Sequence, residues 1–157
     1  MATNVIDTGK WVVRKTTNPI DDTATVAAFL VADKGESERG RPISFVARCR
    51  SNTTEAYAVW YDYVGDDSRD VYSDWKYVTV RIGDASAKRQ RWNVSSDNEG
   101  TFAPDWAGDL LKKLVGETRL ILQLTPYGAS PVTAIFDISG AKNAFAPIAE
   151  ACNWKLQ

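Results

Sequence analysis

Turn-forming residues punctuate this chain at intervals of about ten residues, and the runs between them are β-branched and aromatic. That spacing leaves room for little except short strands. "KWVVRK" and "TATVAAFLV" are the first two runs. "PISFVARC" sets Ile43, Phe45, Ala47 and Cys49 against Ser44, Val46 and Arg48, the period of a half-buried strand. "EAYAVWYDYV" reads as an aromatic strand. "KYVTVRI" places Val78, Val80 and Ile82 on one face and Tyr77, Thr79 and Arg81 on the other, with "KRQRWNV" as hairpin partner across "GDAS". "TRLILQLT" turns Leu120, Leu122 and Leu124 inward, and "PVTAIFDI" does the same with Val132, Ala134, Phe136 and Ile138.

One stretch, "PDWAGDLLKKLVG", follows a helical period, with Trp106, Leu110, Leu111 and Leu114 as its apolar stripe. Pro104 suits the first turn, Asp105 the positive end, Lys112 and Lys113 the last turn, and Gly116 the stop. "GAKNAFAPIAEACNW" reads as a shorter helical tail interrupted by Pro147. The expected fold is mainly β: an antiparallel β-sandwich or barrel of about eight strands with one amphipathic helix and a short C-terminal helix. Residues 1–157 are read as a single domain. "DKGESERGRP" and "GDDSRDVYSD" read as long, mobile loops.

Composition narrows the function. The formal charge of −1 argues against a nucleic-acid partner by bulk electrostatics. No apolar run approaches the roughly 20 residues that span a bilayer as a helix. The segment "MATNVIDTGK" lacks the basic flank and apolar stretch of a signal peptide. There is no histidine, which excludes Ser-His-Asp and Cys-His catalysis. Cys49 and Cys152 cannot build a structural zinc site without histidine partners. They either form one disulfide or stay as two buried thiols. A bridge would close a loop of about 100 residues, on the order of 4–5 kcal/mol in the chain-entropy picture. No metal or cofactor is expected.

Several fragments invite a chemical reading. "SDWK" and "SDN" match two elements of serine acyl-enzymes, but the first lies in a strand pattern, no K-T-G follows, and the chain is too short for that fold. Carboxylates are plentiful, yet none stands out as a glycosidase pair. "KRQRW", with Arg81 opposite and Trp92 as a stacking platform, could hold a phosphate or a single strand. The favoured reading is a hairpin edge blunted by charge, since the acidic loop at 66–74 offsets these cations. In "WNVSSDNEGTFAP", Ser96 and Asp97 belong to a cluster suited to Asx and Ser/Thr turns on the way from strand to helix. In "TPYGASP", Pro126, Gly128 and Pro131 mark a hairpin, while Thr125, Tyr127 and Ser130 offer hydroxyls for an anion or small-ligand site next to Arg81.

Taken in order, "GKWVVRKTTNPIDDTATV", "ARCRSNTTEAYAVW", "VTVRIGD", "WNVSSDNEGTFAP", "LLKKLVGETRLILQLTPYGASPVTAIFDISG" and "APIAEACNW" resemble the type VI secretion system-associated family called TagO or VasI. The likeness runs from Gly9 to Trp154 and rests on the "GKW", "RC", "S-x-D", "TPYG-x-SP" and "AC-x-W" elements. It implies an exported, non-enzymatic accessory protein of a Gram-negative envelope, and it pairs Cys49 with Cys152. It also singles out Arg81, Trp92, Ser96, Asp97, Thr125, Tyr127 and Ser130, expected to converge at one end of the fold as a ligand- or partner-binding site. No catalytic residue carries over. The sequence departs from the pattern in lacking the signal peptide and Cys-containing segment that precede "GKW" in many members, and in its loops at 33–42 and 65–75. The expected location is periplasmic if an export signal has been removed and cytoplasmic if Met1 is the native start. The leading expectation is an accessory module with a protein partner. A cytoplasmic phage-type inhibitor, or a protein sequestering a small anionic ligand, comes second, and a wall-active hydrolase a distant third.

Overall fold

The computed structural model describes residues 7–156; expectations that rest on Met1 lie outside the described residues. The strands are β1 (Val12–Thr17), β2 (Ala24–Glu36), β3 (Pro42–Arg50), β4 (Thr53–Val59), β5 (Trp75–Ile82), β6 (Lys88–Val94), β7 (Gly100–Phe102), β8 (Arg119–Leu124) and β9 (Val132–Asp137). The helices are α1 (Ala107–Leu114) and α2 (Ala141–Ala151). All strand pairs are antiparallel, in the order β1-β2-β3-β4-β7-β6-β5-β8-β9, and β9 returns to β2. Of the two expected architectures, the barrel is the one that forms: eight strands close on themselves and β1 is added outside.

Closure depends on β2, which is long enough to serve two partners along one edge. Its first half pairs with β1, from Thr17↔Ala24 to Val12↔Phe29, and further on Lys34 pairs with Ile135 of β9. The stretch expected as a polar loop at 33–42 is therefore partly strand, ending in a tight turn where the Ser37 amide bonds the Arg41 carbonyl at 2.8 Å. Gly35 makes the crossing possible. Its φ is +106°, and a Cβ there would come within 2.7 Å of the Ala134 Cα.

The alternations expected from sequence face as predicted. Ile43, Phe45, Ala47 and Cys49 are buried, as are Val78, Val80, Leu120, Leu122, Leu124, Ala134, Phe136 and Ile138. The aromatic run is shorter than expected: β4 stops at Val59, and Tyr61 adopts φ +62°. Trp60 turns fully inward and donates from Nε1 to the Thr101 hydroxyl at 3.0 Å. The stretch expected to be a connection from β6 to the helix holds the three-residue strand β7, which bridges β4 and β6.

Helix α1 begins later than expected, with Trp106 at the cap position and Asp105 ahead of it at φ +60°; Asp109 is the acid of its first turn. Its faces differ too. Leu111 and Leu114 are buried, but Trp106 is 42% exposed and meets Trp154 edge-on at 5.2 Å. Helix α2 is not interrupted by Pro147, which lies inside it. The bond lost belongs to the carbonyl of Asn143, an exposed residue. Ala144, Phe145 and Ile148 bury the other face, and Trp11 packs on Phe145 at 4.9 Å while its Nε1 donates to the Ile138 carbonyl at 3.2 Å.

Candidate binding site

β5 is paired with β6 from Trp75 to Val80, but with β8 only from Thr79 to Ile82. Pro126 ends the ladder, because the chain after Leu124 turns away in a bend closed by the Ala129 amide on the Pro126 carbonyl at 3.0 Å. The amides of Trp75 and Tyr77 on that edge must find other acceptors. Asp66 takes the first at 3.2 Å and Asp67 the second at 3.0 Å, while the Asp67 amide returns a bond to the Trp75 carbonyl at 2.8 Å. The expected mobile loop at 65–75 is thus tied to β5 like a substitute strand.

Where β8 and this loop diverge, a cleft of about 410 Å³ opens, lined by Asp67, Lys76, Tyr77, Thr79, Arg89, Gln123, Leu124, Thr125, Pro126, Tyr127 and Gly128. Lys76 is on the inward face of β5, 5% exposed, and its Nζ donates to the Asp67 carboxylate at 3.3 Å. The Arg89 guanidinium lies 3.9 Å above the Tyr77 ring centre. Gln123 donates from Nε2 to the Thr133 hydroxyl at 2.7 Å, which leaves its carbonyl oxygen open to a ligand. Tyr127 stands on the rim, 77% exposed, edge-on to Tyr63 at 6.2 Å, and its amide bonds the Val64 carbonyl at 3.0 Å. Gly65 permits that approach, since a Cβ there would stand 2.8 Å from the Tyr127 Cβ at a backbone φ of +76°.

The residues singled out from sequence do not all meet. Thr125 and Tyr127 line the cleft; Ser130 is exposed in the same hairpin but is not part of its wall. Arg81 points outward at the far end of β5, held by its own turn through an Nε bond to the Ala85 carbonyl at 3.0 Å. Trp92 is no stacking platform: it is fully buried in the barrel, with its Nε1 on Gln90 at 2.9 Å. Its inward face is set by register, Lys76 lying across from it.

Ser96 and Asp97 are exposed in the turn between β6 and β7, outside the cleft wall. Asp97 is a turn residue. Hydrogen bonds from the Ser95 hydroxyl at 2.6 Å and the Glu99 amide at 3.0 Å hold its carboxyl below the usual range. Ser95, expected in the same turn cluster, completes the motif by accepting the Gly100 amide at 2.9 Å.

Of the cleft's cations, sequence reasoning misses Lys76 and weighs Arg89 only within "KRQRW", favoured as a charged hairpin edge. Counting strand positions outward from the "GDAS" turn gives the signal for the second, because that register sets Arg89 opposite Thr79. The local alternation sets Lys76 in phase with Val78 and Val80 but does not mark it as a site residue. Its neighbours Trp75 and Tyr77 are outward aromatics, and a lysine on the apolar face breaks the alternation. The "SDWK" lysine is thus committed to Asp67, and Ser73 bonds the Ser68 hydroxyl at 3.2 Å.

A second cleft, of about 440 Å³, lies between α1 and the inner face of the β5–β6 hairpin, where β7 is too short to cover Lys88–Arg91. Its wall mixes Lys88 and Lys113 with Asp105, Asp109 and Glu117 around Val80, Ile82 and Leu110. The first cleft has two cations against one carboxylate and holds two of the expected residues, which makes it the candidate site.

The bridge between Cys49 and Cys152 is present, with Cα atoms 5.7 Å apart across a separation of 103 residues. It joins the end of β3 to the end of α2, and the Trp154 Nε1 bond to the Thr54 hydroxyl at 2.8 Å fixes the tail just beyond it.

Comparison with known proteins adds one likeness of fold. The crystal structure of invasion associated protein B from Bartonella henselae is similar with a TM-score of 0.55 and 12% identity, over 92% of this chain and 94% of that one. No family model matches the chain, and no curated protein matches it.

Proposed function

We propose that this chain is a non-enzymatic binding module of the bacterial envelope, an exported accessory protein that uses the cleft beside β5 for recognition. The Cys49–Cys152 bridge carries the reading. Cys49 is 1% and Cys152 8% exposed, so the bond sits in the core as a structural fastening. Disulfides of this kind persist in oxidising compartments and are rare in the cytosol. The resemblance to the TagO or VasI family points to the same compartment, and the fold shared with invasion associated protein B is compatible with it.

The non-enzymatic part rests on the lack of histidine and on the cleft's carboxylate. Asp67 is already engaged by Lys76 and by the Tyr77 amide, a poor arrangement for general acid–base work. Recognition is better served: a half-open depression with few, fixed polar groups on a rigid wall suits binding without turnover.

The test is the intact mass of the protein from its native cells, before and after reduction with alkylation. The expected result is a chain that takes up alkylating agent at Cys49 and Cys152 only after reduction. Two thiols that react without reductant would place the protein in a reducing compartment. They would favour the alternative reading, a cytoplasmic inhibitor or sequestering protein.

A further inference from the structure

The outer face of the β5–β6 hairpin carries an ordered set of cations. Arg89 lies 3.9 Å over Tyr77, Arg91 lies 4.3 Å over Trp75, and the two rings meet edge-on at 4.8 Å. Stacking occupies the flat face of each guanidinium and leaves its N–H groups pointing sideways. Among the described residues neither arginine has a carboxylate in ion-pair range or a side-chain hydrogen-bond partner. Two residues apart on one strand, they present N–H groups at a spacing of about 7 Å. Arg89 is at once a member of this pair and a wall of the β5 cleft, so the surface continues into it.

Three kinds of ligand could answer to that charge, and the neighbouring groups separate them. A nucleic acid strand stacks successive bases on neighbouring aromatic faces, whereas Tyr77 and Trp75 each already carry a guanidinium and the cleft's remaining ring, Tyr127, is a single platform. An acidic peptide docking by strand addition needs a free backbone edge, but the edge of β5 in the cleft is taken by Asp66 and Asp67. What the cleft leaves open are the side chains of Thr79, Thr125 and Gln123, groups that can accept as well as donate. Sugar hydroxyls have that same double capacity, and the exposed ring of Tyr127 offers an apolar face to a sugar's C–H side. We propose that this surface binds an acidic saccharide chain, with carboxylates or phosphates on Arg89 and Arg91 and hydroxyls on Thr79, Gln123 and Thr125. The assignment rests on the reading of the β5 cleft as a recognition site.

The experiment is isothermal titration of the full-length, disulfide-intact protein at low salt with four probes: hexagalacturonate, a phosphorylated pentamannose, neutral maltohexaose and hexaglutamate. Binding of at least one acidic sugar is expected, at least tenfold tighter than either control; the better of the two identifies the anion. Arg89→Gln/Arg91→Gln should weaken it at least tenfold, and Thr125→Val a few-fold. Should the double glutamine variant fail to fold, Arg89→Lys/Arg91→Lys keeps the charge, loses the planar fork and should still bind several-fold more weakly. Equal binding of maltohexaose would overturn the role of the anion. Equal binding of hexaglutamate, with Thr125→Val silent, would make the surface a general polyanion site and overturn the saccharide assignment. No binding of any probe would overturn the proposal while leaving the intact-mass test of the exported-module reading untouched.

Discussion

Lys76 shows how one position can break a pattern and still be stable. It occupies an inward place on β5 opposite Trp92, where alternation calls for an apolar side chain, and among the described residues its charge is met by Asp67 alone. The two partners are not equally buried: the lysine side chain is 6% exposed and the aspartate 32%. The cost of separating them should therefore be unequal. Asp67→Ala strands a buried ammonium and the Tyr77 amide, and should cost about 3 kcal/mol. Lys76→Met leaves a carboxylate that water can still reach, and should cost about 1 kcal/mol. Urea denaturation of both variants checks this, and similar costs would mean that the lysine is better solvated than its position indicates. The arginines follow the same logic from outside. Arg81 and Arg89 both point outward, yet only Arg89 reaches the cleft, because Arg81 lies at the other end of β5.

At the level of elements, closure falls to the least strand-like sequence. Asp33, Lys34, Gly35 and Glu36 have poor β propensity, and they form the end of β2 because β9 and β3 flank them there. The register slips between Val31 and Glu36, which bends the strand toward β9. Gly35→Ala should accordingly destabilise the protein by roughly 1–3 kcal/mol, the range for a strained backbone position. The same change at Gly40, also at positive φ but with nothing near its Cβ, should cost less. Hydrogen exchange at β9 amides should rise in the Gly35 variant and stay unchanged in the Gly40 variant; equal effects would locate the cost in the backbone conformation alone. Helix α2 makes the complementary point. Its apolar face on β2 and β3 outweighs the single hydrogen bond lost at Pro147.

Across the whole molecule, the bridge ties the last helix to the barrel over 103 residues. In the chain-entropy picture, Cys49→Ala/Cys152→Ala should lose about 4–5 kcal/mol, chiefly by freeing the unfolded chain. Trp11 and Phe145 keep α2 docked through apolar contact, so the variant should fold to the same barrel with a lower urea midpoint. A midpoint unchanged on removing both cysteines would show that these contacts alone hold the helix and that the bridge adds nothing. The residues behind the family resemblance serve this scaffold as much as any site: Trp11 in the core, Cys49 and Cys152 in the bridge, Ser95 and Asp97 in a turn. The "TPYG" residues, Thr125 to Gly128, also reach the cleft.

The sequence by itself determined the mainly β class, the inward faces of β3, β5, β8 and β9, the β5–β6 hairpin, and the turn chemistry at 95–99 and 125–131. Each follows from contacts within a few residues: alternation sets a face, and proline, glycine and side-chain caps set a turn. Only the tertiary structure decided that the sheet closes, that "DKGE" and "GTF" are strand, and that Arg89 reaches a cleft while Arg81 does not. Those outcomes depend on which strands become neighbours and where each ladder stops, and such pairings join residues far apart in the chain. The cleft belongs to this second group, since it exists only where β8 leaves β5 and the 66–67 loop takes its place.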